Sequence, residues 1–226
     1  MLASILALEY SKAMEKSMIL PLDPADPSQV RAAACLHETL LPESPVPGLG
    51  RFFMTKFYYR ELVRAGLIRC DLFKSGDRYV ALSVYTKDPF TFMEAGKRRF
   101  FFWLIFVLGV SVAAKPVRIG ILWKMARRSQ KRDAAQDQSV GEYLSLGVLP
   151  DYANACDAGS GLRAAHALLA KVMDYFRREG RREIYLVIEK QNRLAFRFYE
   201  NYRPVPKTAD FVPEHCVHMS HPVTVG

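Results

Sequence analysis

Between residues 142 and 199 the hydrophobic pattern alternates between strand and helix, and this run constrains the fold more than any other part of the chain. Glu142 to Val148 (EYLSLGV) reads as a strand. Gly161 to Arg178 carries Leu162, Leu169, Val172, Met173 and Phe176 on one side at helical spacing. Glu183 to Glu189 (EIYLVIE) is a short apolar run with the length of a buried strand, and Asn192 to Tyr199 is a short helix. Placed behind an earlier group of strands, a strand–helix–strand–helix unit indicates a mixed α/β sheet.

The earlier elements are marked by their ends. Met18 to Leu22 is a short strand, and Asp26 followed by Pro27 starts a helix reaching about Leu41. The carboxylate caps free amides, and proline stands where no amide donor is needed. A proline- and glycine-rich break from Leu41 to Gly50 precedes a second helix, Phe52 to Ala65, ended by Gly66. Its stripe of Phe53, Phe57 and Tyr58 belongs to a core. Leu67 to Lys74 and Arg78 to Tyr85, joined by Ser75-Gly76-Asp77, form a hairpin, and Cys216 to Met219 belongs to a last strand.

Half of the 226 residues are apolar and 24% charged, which excludes a disordered, collagenous or disulfide-stapled chain and suits one domain spanning 1–226. Four scattered cysteines, Cys35, Cys70, Cys156 and Cys216, without a C-x-x-C pair, indicate reduced thiols and a cytoplasmic setting. The opening MLASILALEYSK lacks the basic start of a secretory signal and reads as a helix. Of His215, His218 and His221, strand alternation puts the middle one on the opposite face, and no zinc spacing forms with Cys216; no metal is expected.

The stretch from Tyr143 to Pro204 resembles the GNAT superfamily of acyl-CoA-dependent N-acyltransferases. The matching residues are Leu144-Ser-Leu-Gly-Val148 with Pro150, Gly161-Leu-Arg-Ala-Ala165, Glu183 to Ile188, and the N-x-x-A-x-x-F-Y-E run from Asn192 through Ala195 to Phe198-Tyr199-Glu200. The resemblance implies an α/β (α+β) fold with a mixed, mostly antiparallel central sheet flanked by helices. It also implies acetyl-CoA, or another acyl-CoA, as co-substrate and an amine as acceptor, without a metal. Tyr199 takes the position of the family's acid, and Glu142 that of the base, acting directly or through water. Leu146 and Val148 lend backbone groups to the pantetheine arm, and Asn192 helps hold the cofactor or simply caps its helix. The pyrophosphate falls to Gly159, Ser160, Gly161, Leu162, Arg163, Ala164 and Ala165, because a small-residue turn entering a helix gathers backbone donors on one anion. Here the pattern departs from the family: serine stands at the first position of its phosphate signature and arginine at the middle glycine. Arg163 offers a charge-assisted contact instead. Altered cofactor use therefore stands beside turnover, and a non-catalytic acyl-CoA-binding or membrane-associated interaction protein beside the enzyme.

Residues 86–139 replace what the family makes as a tight hairpin between its third and fourth strands. Phe100 to Ala114 is uncharged, and as a helix of about 22 Å it falls short of the roughly 30 Å hydrocarbon core of a bilayer. Lys97 to Arg132 holds ten Lys and Arg and no Asp or Glu, so the net charge of +9 belongs to this insertion and the rest is nearly neutral. Val117 to Arg132 reads as an apolar and basic helix of the kind that sits on anionic lipid. Two readings stay open: peripheral contact through 97–132 with the inner face of a membrane, or packing onto the core or a second copy in a homodimer. Nucleic acid is not expected, because the stripe is too apolar. His37-x-x-x-Leu-Leu-Pro42, Phe57-Tyr58-Tyr59 and the insertion are similar, more loosely, to GNAT-like proteins of bacterial surface-polysaccharide synthesis, which implies an amino-sugar or lipid-linked acceptor.

Overall fold

The computed structural model describes residues 17–123, 139–202, 204–207 and 216–223. The helix expected at the N-terminus, the second half of the helix expected over Val117 to Arg132, and His215 lie outside these residues.

Strand β1 (Met18–Pro21) leads into helix α1 (Pro27–Leu40), whose start is as the sequence predicts. The Asp26 carboxylate accepts from the amides of Ser28 at 2.8 Å and Gln29 at 3.4 Å. Val30, Ala33, Ala34 and His37 recur on one face of α1 and are buried. Helix α2 begins as Arg51–Phe53 and continues with π-helical turns over Met54–Leu62. The wider turn directs the adjacent Tyr58 and Tyr59 into the core together with Phe57. Gly66, at φ +70°, closes the helix in a conformation that favours glycine.

The expected hairpin is β2 (Arg69–Ser75) and β3 (Arg78–Thr86), with Gly76 at φ +59° in its turn. The second half supplies β4 (Val140–Val148), α5 (Ala164–Arg178), β5 (Glu183–Glu189), α6 (Arg193–Glu200), β6 (Val205–Lys207) and β7 (Cys216–Pro222). In the insertion, α3 (Phe92–Arg99) and α4 (Phe101–Ala114) are followed by helical residues 118–123. The sheet runs β1-β2-β3-β4-β5-β7-β6, and every neighbouring pair is antiparallel except β4 and β5. A mixed, mostly antiparallel sheet flanked by helices was the expectation.

The helices divide between the two faces. Cys70, Leu72, Leu82 and Val84 pack beneath α1 and α2. Tyr85, Tyr143, Ile184 and Leu186 pack beneath α5, against Leu169, Val172 and Phe176. The β5 strand departs from expectation: Ile184, Leu186 and Ile188 are buried, but Val187 is exposed, so only one of its faces is covered. Among the described residues all four cysteines are free thiols, and burial pushes the Cys70 thiol well above its ordinary range.

The insertion is seated on the loop between α1 and α2. Ser111 Oγ donates to the Leu49 carbonyl, and the Arg118 guanidinium donates to the Ser111 carbonyl at 2.8 Å. The same guanidinium lies against Gly50, where a Cβ would approach Arg118 Nη2 to 2.4 Å. At φ +91°, Gly50 is required twice, by its backbone and by this close approach.

Candidate active site

The site is built from a break in the sheet. Strands β4 and β5 pair in parallel only from Val140–Glu183 to Tyr143–Leu186. Beyond that point β4 continues along β3 to Val148, and β5 continues along β7 to Glu189. Among the described residues the edges of Leu144 to Val148 and Val187 to Glu189 therefore carry no ladder between them. A bulge marks the departure: Val84 pairs with Ser145 and Tyr85 with Tyr143, leaving Leu144 as the extra residue. Leu146 and Val148, for which the resemblance implies a backbone role toward a pantetheine arm, lie past the bulge and are half-buried.

Tyr199 sits at the closed end of the split. It is buried in one cluster with Tyr143 and Leu186, the last paired residues of β4 and β5. Burial pushes its phenol well above the ordinary tyrosine range, so the proton stays on oxygen at neutral pH. Helix α6, which carries Tyr199, is held at both ends. The Asn192 side chain accepts from the Ala195 amide at 3.0 Å, so its capping role is realised. After the last turn, the Tyr202 hydroxyl lies 2.6 Å from His166 Nδ1 on the first turn of α5.

Glu142 is buried one residue before Tyr143 and therefore on the other face of the sheet. It lies near Tyr58 of α2, whose phenol is pushed up mainly by burial and further by the charges of Cys70 and Glu142. Tyr199 and Glu142 thus lie on opposite faces of the sheet.

The phosphate loop differs from expectation. The long helix begins at Ala164 rather than Gly161, with Arg163 as its N-cap, and Leu162 is exposed instead of lying on the apolar side. The cause is Asp157. Its carboxylate accepts from the Ser160 amide and hydroxyl, both at 2.9 Å, and its carbonyl accepts from Gly161 N–H at 2.8 Å. Ser160 Oγ in turn accepts from Leu162 N–H at 3.3 Å, and Ala164 N–H donates to the Ala155 carbonyl at 2.8 Å. The amides of Ser160, Gly161 and Leu162 are thus satisfied within the turn, with Gly161 at φ +68°. Donors for an external anion are the Ala165 and His166 amides in the first turn of α5 and the Arg163 side chain. Asp157 was not among the expected site residues. Its signal was present in Asp157-Ala-Gly-Ser160, since an aspartate readily bonds the backbone a few residues on.

A buried polar group near Tyr143 was also missed. Asp71 accepts from the Tyr85 hydroxyl at 2.8 Å and pairs with Lys171 Nζ at 2.7 Å. Nothing local in the sequence joins β2, β3 and α5 in this way. Among the described residues no group of three or more His, Cys, Asp or Glu side chains is placed to hold a metal ion.

No family model matches the chain, and no curated protein matches it in sequence. Solved structures do match. SsHAT superposes with a TM-score of 0.59 at 13% identity, over 92% of this chain and 99% of that one. PH1933 from Pyrococcus horikoshii OT3 gives 0.55 at 15% identity, over 93% and 100%. An N-acetyltransferase from Staphylococcus aureus Mu50 gives 0.52 at 10% identity, over 92% and 99%. At such identities the likeness is one of architecture alone: the chain has a GNAT-like fold, a mixed, mostly antiparallel sheet flanked by helices.

Proposed function

We propose that the protein is an acyl-CoA-dependent N-acyltransferase, moving an acetyl group from acetyl-CoA to a primary amine of a small-molecule, amino-sugar or lipid-linked acceptor near a membrane surface. The observation that carries this reading is the unpaired split between β4 and β5 with a buried, protonated tyrosine at its closed end. The chain folds as one acyltransferase domain, in which 86–139 is an insertion that borders the acceptor side.

The β4 edge from Leu144 to Val148 would hold the pantetheine arm by strand-like hydrogen bonds. Arg163 and the amides of Ala165 and His166 would receive the pyrophosphate. The acceptor nitrogen attacks the thioester carbonyl carbon, a C–N bond forms, and the C–S bond breaks. The departing thiolate takes the proton of Tyr199, while the amine proton passes to Glu142, directly or through water. Exchange with solvent then restores the phenol and the carboxylate, so the net products are an amide and the free thiol.

One observation favours a second reading, a non-catalytic acyl-CoA-binding or membrane-associated interaction protein: Asp157 places a carboxylate among the amides that would otherwise face a pyrophosphate. Calorimetry with acetyl-CoA separates the two. No binding at millimolar ligand would end the enzyme reading. With binding established, Tyr199→Phe is expected to lower turnover by two orders of magnitude or more with little change in acetyl-CoA affinity, in line with the usual size of acid–base effects, about 10²–10⁴-fold. Equal turnover in the variant would remove Tyr199 from the acid role.

A further inference from the structure

Helix α4 is apolar on every side, yet among the described residues only one side of it is covered. Val107 and Ser111 are buried, and Leu104 and Leu108 pack onto the core with them, beneath which lie Phe53 and Phe57 of α2. Trp103 Nε1 donates to the Lys56 carbonyl at 3.1 Å, fixing the helix across α2. The opposite side shows Phe101 at 53% exposure, Phe102 at 85%, Ile105 at 54% and Phe106 at 54%. Val110 continues this row, and Val117, Ile119 and Trp123 extend it past the helix end. A helix apolar all round ordinarily lies within a core. Contiguous exposed patches of this kind mark an interaction surface.

We propose that this outer face of α4 is a lipid-docking surface that lies in the plane of an anionic bilayer. Charge selects this occupant. The exposed Arg98 and Arg99 stand at one end of α4 and the exposed Lys115 at the other. From Lys97 to Arg132 the sequence has ten basic residues and no acidic one. A second copy docked by α4 against α4 would bring cation-bearing ends towards cation-bearing ends, whereas anionic headgroups meet both. Fourteen residues give a helix of about 21 Å, and no described helix is long and apolar enough to cross a membrane. The geometry left to α4 is to lie flat, with its buried side on the protein and its phenylalanines at the headgroup–acyl boundary. This surface is a property of the insertion and does not depend on acyl transfer at the split.

Flotation of the full chain with vesicles of phosphatidylcholine, alone or mixed with phosphatidylglycerol, tests the proposal. The protein is expected to rise with the anionic vesicles, less with the neutral ones, and less again in high salt. Phe102→Asp combined with Phe106→Asp should weaken partitioning at least tenfold while leaving the melting temperature unchanged, since both side chains are exposed. Arg98→Gln with Arg99→Gln should reduce only the anionic preference. Sedimentation without lipid supplies the competing outcome. A dimer that the two aspartates convert to monomer would make this face an interface between copies and overturn the proposal. Failure of the wild-type chain to float with anionic vesicles would overturn it as well. Neither result alters the acetyl-CoA measurement, so the docking surface and the acyltransferase reading fail separately.

Discussion

His37 should make the fold, rather than the chemistry, sensitive to mild acid. Its side chain is fully buried between α1 and α2, with Nδ1 2.6 Å from the Tyr59 hydroxyl. Its Nε2 is buried without a hydrogen bond among the described residues. Burial lowers the imidazole from an ordinary 6.5 to about 4. In the unfolded chain the group titrates near its ordinary value, so between the two values the unfolded state binds the extra proton. Stability is therefore present above the unfolded value and is lost as the pH falls, until both states are protonated below the folded value. At pH 5 the difference in proton binding corresponds to about 2 kcal/mol, and at pH 7.5 to almost nothing. Urea denaturation of the wild type and of His37→Gln at both pH values isolates this contribution, because every other titrating group is common to the two proteins. The substitution is expected to cost stability at pH 7.5 through the lost packing. The wild type should then lose about 2 kcal/mol more than the variant on acidification to pH 5. Parallel losses would refute the reasoning, and would mean that His37 stays accessible to protons in the native state. Activity that falls below pH 6 together with native structure would be assigned to this residue.

Two further outcomes follow from close contacts on the α5 side. A Cβ at Gly141 would lie 2.2 Å from Cε1 and 2.5 Å from Cδ1 of the fully buried Phe176, so Gly141→Ala should destabilise by about 1–3 kcal/mol, read as a lower urea midpoint with an unchanged slope. An unchanged midpoint would show that the ring has room to move. Asp157→Asn removes a negative charge from the phosphate loop while keeping an acceptor for Ser160, so acetyl-CoA affinity should rise severalfold in calorimetry, and more at low salt than at high. Weaker binding in this variant would mean that the Asp157 turn presents the ligand donors instead of occupying them.

Elements whose cause is local were legible in the sequence. Asp26 before Pro27 and Asn192 before α6 satisfy backbone amides within a few residues, and Gly76 supplies the positive φ of the hairpin turn; the structure has all three. The stripe of Phe53, Phe57 and Tyr58 also announced its buried side, whereas the apolar run of β5 did not reveal that only one of its faces is covered. The loop entering α5 failed at short range for a physical reason: glycines permit many conformations, and the choice among them fell to the Asp157 carboxylate, which holds Ser160 in a turn that leaves Gly161 at φ +68°, outside helical geometry.

The sequence by itself determined most of the strands and helices and their order, because periodicity and capping act over a few residues, but not α3 or β6. It also placed an apolar, basic segment between β3 and β4. Only the tertiary structure decided that β4 and β5 part after Tyr143, that Glu142 and Tyr199 lie on opposite faces of the sheet, and that Asp71 joins Tyr85 to Lys171. It alone decided which side of α4 the core covers, since a helix apolar all round has no preferred side in its own pattern. That choice was made by α2 and by Leu49 and Gly50, residues far away in the chain that only packing brings beneath it.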